Sequence, residues 1–244
     1  MTEAATWIPY CGAAPAPGEL LARWNFDPAL LALLALMLLA ALKSPRTDRR
    51  LLFAATALLA VLFLSPFCAL TSALFSARAV HHLALTAIAA PLLAIALPER
   101  RVPGGVAPRT ALHTVIFWAW HAPSAYEAAL SSHAVYWLMQ GSLFLTALAL
   151  WRAVRAAAVV SGIAALLATM VQMGLLGALL TFAGRPLYAP HFLAPWSWNL
   201  TPLEDQQLAG LIMWAPGAGL YLAAALMLAA RWFAHEQRSA AIAR

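Results

Sequence analysis

The chain has 244 residues, of which 64% are hydrophobic and 10% are charged, and its mean hydropathy is +0.78. A soluble domain of this size could not bury so much apolar surface, so the composition predicts an all-α integral membrane protein. The formal net charge of +6 does not indicate a nucleic-acid partner, because the basic residues lie in short loops between apolar runs.

Apolar runs along the sequence predict a polytopic membrane protein with seven transmembrane helices. The predicted spans are residues 28–42, 51–73, 78–97, 110–130, 133–151, 156–183 and 205–231. We therefore divide the chain into a periplasmic N-terminal segment (1–27), a seven-helix transmembrane domain (28–232) and a cytoplasmic tail (233–244).

The basic residues predict the orientation of these helices. If the loop at 43–50 is cytoplasmic, all but three of the 15 basic residues lie on the cytoplasmic side. The exceptions are Arg23, Arg78 and Arg185. The positive-inside rule then places the N-terminus outside and the C-terminus inside. The single lysine, Lys43, lies in a loop, which argues against a retinal-binding protein because no buried lysine could form a Schiff base.

The seventh span begins with a concentration of polar residues that is unusual for a membrane helix. Pro202 suits a first helical turn, and Glu204 and Asp205 place negative charge at the positive end of the helix dipole. Four polar or small residues then share one helix face: Gln206, Gly210, Met213 and Gly217. We expect this face to contact protein and not lipid.

Several side chains that can bind a metal lie toward the predicted outer face. The candidate ligands are His81, His82, His121, Asp205 and Met213. Imidazole, thioether and carboxylate groups together suit copper. Ionisable groups at membrane depth usually have a partner or a function, so we predict a copper site formed mainly by His82, His121 and Asp205.

Each candidate also has a purely structural explanation. Isolated histidines near helix ends, such as His133 and His191, are more often interfacial hydrogen-bonding residues than ligands. Methionines often fill irregular gaps in a core. Asp205 suits its helix N-terminus without any metal.

A proline and two cysteines leave further alternatives open. Pro123 follows His121 by two residues and predicts a kink that turns this histidine toward the bundle centre, although proline is also tolerated in membrane helices for packing alone. Cys11 and Cys68 could form a disulfide, bind metal or do neither, and the sequence does not choose among these.

Four motifs stand out along the sequence. They are F-S-A-R-A-V-H-H-L (75–83), A-A-P-L-L (89–93), W-H-A-P-S-A-Y (120–126) and D-Q-Q-L-A-G-L-I-M-W (205–214), of which the last is the most specific. Together they resemble the CtaG family of membrane-bound cytochrome c oxidase assembly factors, and the resemblance covers roughly residues 75–232. The opening Y-C-G-A-A-P-A-P (10–17) is also similar to bacterial members.

Two positions depart from the family pattern. Many members carry His-Met-x-x-His in the third span, where this chain has Arg78 at the first histidine position and His82 at the second. A histidine often found early in the fifth span is Gln140 here. A complete family metal site is therefore not expected from the motif alone.

The resemblance implies a non-enzymatic factor in a bacterial inner membrane that helps to assemble haem-copper cytochrome c oxidase. Its expected partners are oxidase subunits and the lipid bilayer, and copper handling at the outer face is the expected mechanism. Two alternatives are a transporter for a metal ion or proton and a membrane redox protein holding b-type haem between His82 and His121. His113 is the clearest polar candidate in the inner half, which makes a continuous transport path less favourable.

Overall fold

The computed structural model describes residues 7, 9–43, 48–98 and 104–242, and these residues form helices without any β-strand. The α-helices are α1 (Pro28–Lys43), α2 (Arg49–Leu64), α3 (Pro66–Ala73), α4 (Phe75–Ala84), α5 (Ala90–Ala96), α6 (Val106–His121), α7 (Pro123–Ser131), α8 (His133–Ala156), α9 (Val159–Thr181), α10 (Pro202–Ile212) and α11 (Ala218–Ile242). Most of each predicted apolar run is helical. Of the basic residues used to predict the orientation, Arg46, Arg100, Arg101 and Arg244 lie outside the described residues.

Prolines interrupt several of these helices, because proline lacks the amide hydrogen of the helical ladder. Pro66 begins α3 after Ser65, and α2 and α3 meet at an angle of 52°. The break predicted at Pro123 is also present, since α6 ends at His121 and α7 begins at Pro123.

Two helices continue through a single π-helical turn. One turn, Leu85–Ala89, joins α4 to α5 just before Pro91, and the other, Met213–Gly217, joins α10 to α11 and contains Pro216. A proline ring clashes with the carbonyl four residues earlier, and a wider π turn relieves this clash without ending the helix.

Four helices in the described part of the chain are long and apolar enough to cross a membrane. They are Phe75–Ala96, His133–Ala156, Val159–Thr181 and Pro202–Ala241. The bent pair α2 and α3 makes a fifth if it counts as one span. The predicted fourth span fails this criterion because the break before Pro123 leaves helices of 16 and 9 residues. The structure thus supports a multi-pass all-helical protein, whereas the number seven and the orientation of the termini stay predictions.

Close packing of α9 against α10 fixes the centre of the bundle. A Cβ added at Gly177 would lie 2.7 Å from the Gly210 carbonyl oxygen, and one added at Gly210 would lie 2.6 Å from the Gly177 carbonyl oxygen. Such proximity is possible only between residues without a side chain. Gln206, Gly210, Met213 and Gly217 are all buried, so the face predicted to contact protein does so.

The N-terminal segment is fixed to the rest of the chain by a disulfide and by hydrogen bonds. Cys11 and Cys68 form the disulfide, which answers the question that the sequence left open. The Tyr10 hydroxyl donates to Asp27 at 2.6 Å, and the Trp198 indole donates to the Pro15 carbonyl at 3.1 Å. Residues far apart in sequence are thereby held together at one end of the bundle.

A buried histidine pair beside an aspartate cap

The predicted ligands lie on four different elements, and all are buried. His81 and His82 belong to α4, His121 is the last residue of α6, Asp205 lies in the first turn of α10, and Met213 begins the second π turn. Their exposed fractions range from 0% for His81 and Asp205 to 5% for His121. None of these side chains faces lipid, although only some of them lie near one another.

His82 and His121 face each other across α4 and α6. Their ring centroids are 5.6 Å apart and their planes are nearly perpendicular. The His121 Nδ1 atom lies 2.7 Å from the Phe117 carbonyl oxygen. Because a carbonyl can only accept, this Nδ1 must carry hydrogen, which leaves Nε2 as the nitrogen with a free lone pair.

His82 has no such anchor. Neither of its ring nitrogens makes a hydrogen bond with any of the described residues. Buried polar atoms are normally hydrogen-bonded, so the His82 imidazole departs from the usual pattern and has both ring nitrogens available to a further group. A histidine ligand usually donates its other ring hydrogen to a carbonyl or carboxylate, as His121 does here.

His81 points into different surroundings. Its ring lies edge-on to Phe63 at 4.8 Å and stacks on Phe67 at 6.2 Å, and its centroid is 6.0 Å from that of His82. His81 is therefore an aromatic-packed neighbour of the histidine pair, and its ring nitrogens, like those of His82, have no hydrogen-bond partner among the described residues.

Asp205 caps the N-terminus of α4. Its carboxylate accepts from the Phe75 amide at 2.6 Å, from the Ser76 amide at 3.1 Å and from the Ser76 hydroxyl. The N-cap residue of α4, Leu74, supplies no capping side chain, so a carboxylate from another helix satisfies these amides. Ser76 precedes His82 by six residues, which is about 9 Å along a helix axis.

The complete three-residue site predicted from the sequence is not assembled. No group of three or more His, Cys, Asp or Glu that could hold a metal occurs in the described part of the chain. The structure brings together His82 and His121, while Asp205 is engaged in the α4 cap. Met213 is 1% exposed and belongs to the main apolar core. The roles of these residues as metal ligands stay predictions.

A loop between α9 and α10 closes this end of the bundle over the histidine pair. The Tyr188 hydroxyl donates to the carbonyl of His121 at 2.7 Å, a carbonyl that the break at Pro123 leaves outside the helical ladder. The Gln206 side chain holds the same loop by accepting from the Leu187 amide at 2.7 Å and donating to the Arg185 carbonyl at 3.3 Å. The loop thus fixes the end of α6 on which His121 lies.

His191 in this loop is a hydrogen-bonding residue, the role that the sequence favoured for it, but the sequence did not indicate its partners. Its Nδ1 donates to the Ala73 carbonyl at 3.2 Å, and its Nε2 accepts from the Tyr126 hydroxyl at 2.7 Å. Burial lowers the pKa of His191 to about 3, so the ring is neutral at physiological pH. The short A-P-H turn in which His191 lies does not specify partners as distant in sequence as Tyr126 and Ala73.

Sequence reasoning also missed Arg78, which it assigned to the exposed outer side. This residue is fully buried, and its guanidinium lies 5.4 Å from the centre of the Tyr136 ring. Tyr136 and Gln140 lie four residues apart on the apolar helix α8. This polar pair was the signal in the sequence for a polar region inside the bundle near Arg78.

A family model described as cytochrome c oxidase caa3 assembly factor (Caa3_CtaG) matches residues 106–235. The chain belongs to this family. The match covers α6 to α10 and most of α11, and therefore contains His121, Asp205 and Met213. No curated protein and no solved structure shows a significant match. The Caa3_CtaG match begins at residue 106, after α4, so it does not include Arg78 and His82. These two residues are related to the family only through the resemblance of residues 75–83.

Proposed function

We propose that this Caa3_CtaG protein holds copper between His82 and His121 and passes it to a subunit of a haem-copper cytochrome c oxidase during assembly. The observation that carries the proposal is the pair of facing imidazoles, one anchored through Nδ1 and one without a hydrogen-bond partner among the described residues. The proposal places this exchange at the outer face of a bacterial inner membrane. The protein acts as a carrier and not as an enzyme.

The incomplete ligand set favours transfer over permanent storage. Two imidazoles are suitable copper ligands, and a metal held by two protein groups retains positions that ligands of an acceptor can occupy. The acceptor can thus bind before the donor releases, and copper need not enter water during the exchange.

The electrostatic surroundings favour Cu(I) over Cu(II). The histidine pair is buried, the carboxylate of Asp205 is engaged elsewhere, and the charge of Arg78 acts on His82. Burying an ion costs more as its charge rises, and the cost is greatest where no anion compensates it. A monovalent ion is therefore the more favourable cargo.

Copper binding by the purified protein tests the first half of the proposal. We expect wild-type protein in detergent to bind about one Cu(I) under reducing, oxygen-free conditions, as measured by competition with a chromogenic chelator. His82→Ala and His121→Ala should each reduce the affinity by at least about tenfold, the loss expected when a metal site is disturbed. His133→Ala removes a histidine outside the pair and should bind like wild type.

Oxidase assembly in cells tests the second half of the proposal, the transfer of copper to an oxidase subunit. A strain lacking the gene should show low oxidase activity that returns with the wild-type gene and not with His121→Ala. Normal oxidase activity in the deletion strain, at low copper, would remove the assembly role. Absence of bound copper together with full assembly activity would instead remove only the copper step, and a Soret band in the purified protein would favour the haem alternative.

A further inference from the structure

Arg78 carries a full positive charge in the interior of the bundle. It is 0% exposed, and it is the largest of the fully buried side chains in the described part of the protein. A guanidinium keeps its proton in proteins, so this residue cannot avoid the cost of burial by becoming neutral. A buried charge normally requires a compensating partner.

No protein carboxylate provides that partner within the described residues. None of their Asp or Glu oxygens lies within 4.0 Å of the guanidinium. Asp205 lies near the start of the same helix, but its oxygens accept from Phe75 and Ser76. The charge on Arg78 therefore has no direct counterion among the described side chains.

Most of the hydrogen-bonding capacity of Arg78 is also unused. Nη2 donates to the Thr71 carbonyl at 3.1 Å, whereas Nε and Nη1 have no partner among the described residues. The face of the guanidinium lies over the Tyr136 ring, a contact that stabilises a cation but accepts no hydrogen bond.

Further polar side chains lie around the Arg78 guanidinium. Gln140 is 2% exposed, and neither its amide nitrogen nor its amide oxygen has a hydrogen-bond partner in the described chain. The Tyr136 hydroxyl lies near both Gln140 and Arg78, and the Tyr126 hydroxyl also lies near Arg78. The Tyr126 hydroxyl already donates to His191, and the Tyr136 hydroxyl lies 3.5 Å from the Cys11 sulfur. The donors here without a partner among the described residues are therefore Nε and Nη1 of Arg78 and the Gln140 amide nitrogen.

We propose that Arg78 and Gln140 bind a small inorganic anion of the halide class. Such an anion would accept from the free guanidinium nitrogens and from the Gln140 amide, and it would neutralise the buried charge. Because the donor side chains are almost completely buried, an ion of one atom is favoured over a phosphate group or a lipid headgroup, which would require more room in the core. The site is distinct from the histidine pair and does not require copper.

Thermal unfolding in two sodium salts tests this site. Purified wild-type protein should unfold at a higher temperature in sodium bromide than in sodium gluconate at the same ionic strength. The rise should grow with the logarithm of the bromide concentration above the Kd, reaching about 5 °C at a concentration 100 times the Kd. Arg78→Met should abolish the difference between the salts, and Gln140→Leu should move the response to higher bromide concentration.

A surface arginine supplies the matched control. Arg23 forms an exposed ion pair with Glu19, so Arg23→Met removes the same charge and should keep the full bromide response. Equal unfolding temperatures of the wild type in the two salts, or an undiminished bromide response in Arg78→Met, would overturn the proposal.

Crystals grown in sodium bromide decide the question even if Arg78→Met does not fold. The wild-type protein should show an anomalous bromide peak within hydrogen-bonding distance of the Arg78 guanidinium. Crystals with bromide elsewhere and no peak beside Arg78 would contradict the site.

Discussion

At the scale of single residues, Asp205 illustrates how a carboxylate can have a partner that the sequence did not indicate. Its position in the first turn of α10 predicted a favourable charge at that helix N-terminus, and its depth suggested a metal ligand. The structure places its oxygens on the N-terminus of α4. Residues 75 and 205 are therefore coupled by a buried, charge-assisted contact, which is stronger than a neutral hydrogen bond.

Substitution of Asp205 should separate capping from metal binding. We expect Asp205→Ala to lower the free energy of unfolding by about 2 kcal/mol, because buried amides of Phe75 and Ser76 lose their acceptor. Thermal and denaturant unfolding in detergent would measure this loss. Glu236→Ala removes an exposed carboxylate of α11 and should have little effect. Copper affinity that falls as sharply as in His121→Ala, at a temperature where the variant is folded, would indicate that Asp205 is also a ligand.

The buried ring of His191 predicts a loss of stability in acid. Its folded-state pKa of about 3 lies below the ordinary value of 6.5, so the unfolded chain binds the extra proton between these two pH values. The His191 contribution to stability is complete above pH 6.5 and falls with decreasing pH, by about 1.4 kcal/mol for each pH unit down to pH 3.

Comparison with His191→Gln isolates this contribution. Glutamine can accept from Tyr126 and donate to Ala73, but it does not titrate. The wild type should therefore lose stability more steeply than His191→Gln as the pH falls from 6.5, as measured by chemical unfolding at each pH. His133→Gln is the control and should follow the wild-type curve. If the free energy of unfolding fell equally with pH in the wild type and in His191→Gln, protonation of His191 would not destabilise the fold, and the prediction would be wrong.

At the scale of secondary structure, prolines and glycines determine how the helices bend and how closely they approach. Pro123 separates α6 from α7 and leaves the His121 carbonyl available to Tyr188. Pro216 lies inside a π turn that α10 and α11 share. The contact between Gly177 and Gly210 then sets the distance between α9 and α10.

Adding one methyl group at this contact should separate the helices. Gly210→Ala would place its Cβ 2.5 to 2.6 Å from atoms of Gly177 and Thr181, most of them backbone, so the helices must shift. We expect a loss of about 1–3 kcal/mol in the free energy of unfolding, the usual cost of overpacking a core. Gly141→Ala in α8 meets no atom within 4 Å and should be neutral or slightly stabilising. Equal stability of the two variants would mean that α9 and α10 are less closely packed than described.

At the scale of the whole molecule, the disulfide and the loop between α9 and α10 hold one end of the bundle together. Cys11 and Cys68 are 57 residues apart in sequence, and Trp198 contacts Pro15 from the opposite end of the chain. Disulfides persist in oxidising compartments, so this bond supports the prediction that the N-terminal segment lies on the periplasmic side.

Loss of the disulfide should weaken the fold substantially. Closing a loop of this length restricts the unfolded chain, and the expected stabilisation is about 4 kcal/mol. The double variant Cys11→Ser/Cys68→Ser should therefore unfold at a lower temperature than the oxidised wild type, and reductant should lower the wild-type value without affecting the variant. In intact cells, a maleimide reagent that cannot cross the membrane should label Cys11 only after reduction. Labelling without reduction would contradict the bond, and no labelling after reduction would contradict the assigned compartment.

Local features of the sequence determined the class of the protein and some of its helix ends. Apolar composition requires a membrane environment. Pro202 begins α10, as its position predicted, and Pro123 ends a helix where the sequence predicted a kink, whereas Pro66 breaks a span that was predicted to be continuous. The motif at 205–214 was enough to indicate the family. The stripe from Gln206 to Gly217 was also predictable, because its residues lie on one face of one helix.

Only the tertiary structure decided which side chains meet. His81 and His82 are adjacent in sequence, yet His82 faces His121 while His81 packs against Phe63. The partners of Asp205 lie about 130 residues away, and the burial of Arg78 contradicts its ordinary preference for a surface. Such contacts depend on the rotation and crossing of separate helices, and helices that are apolar on nearly every face carry too weak a periodic pattern to reveal either.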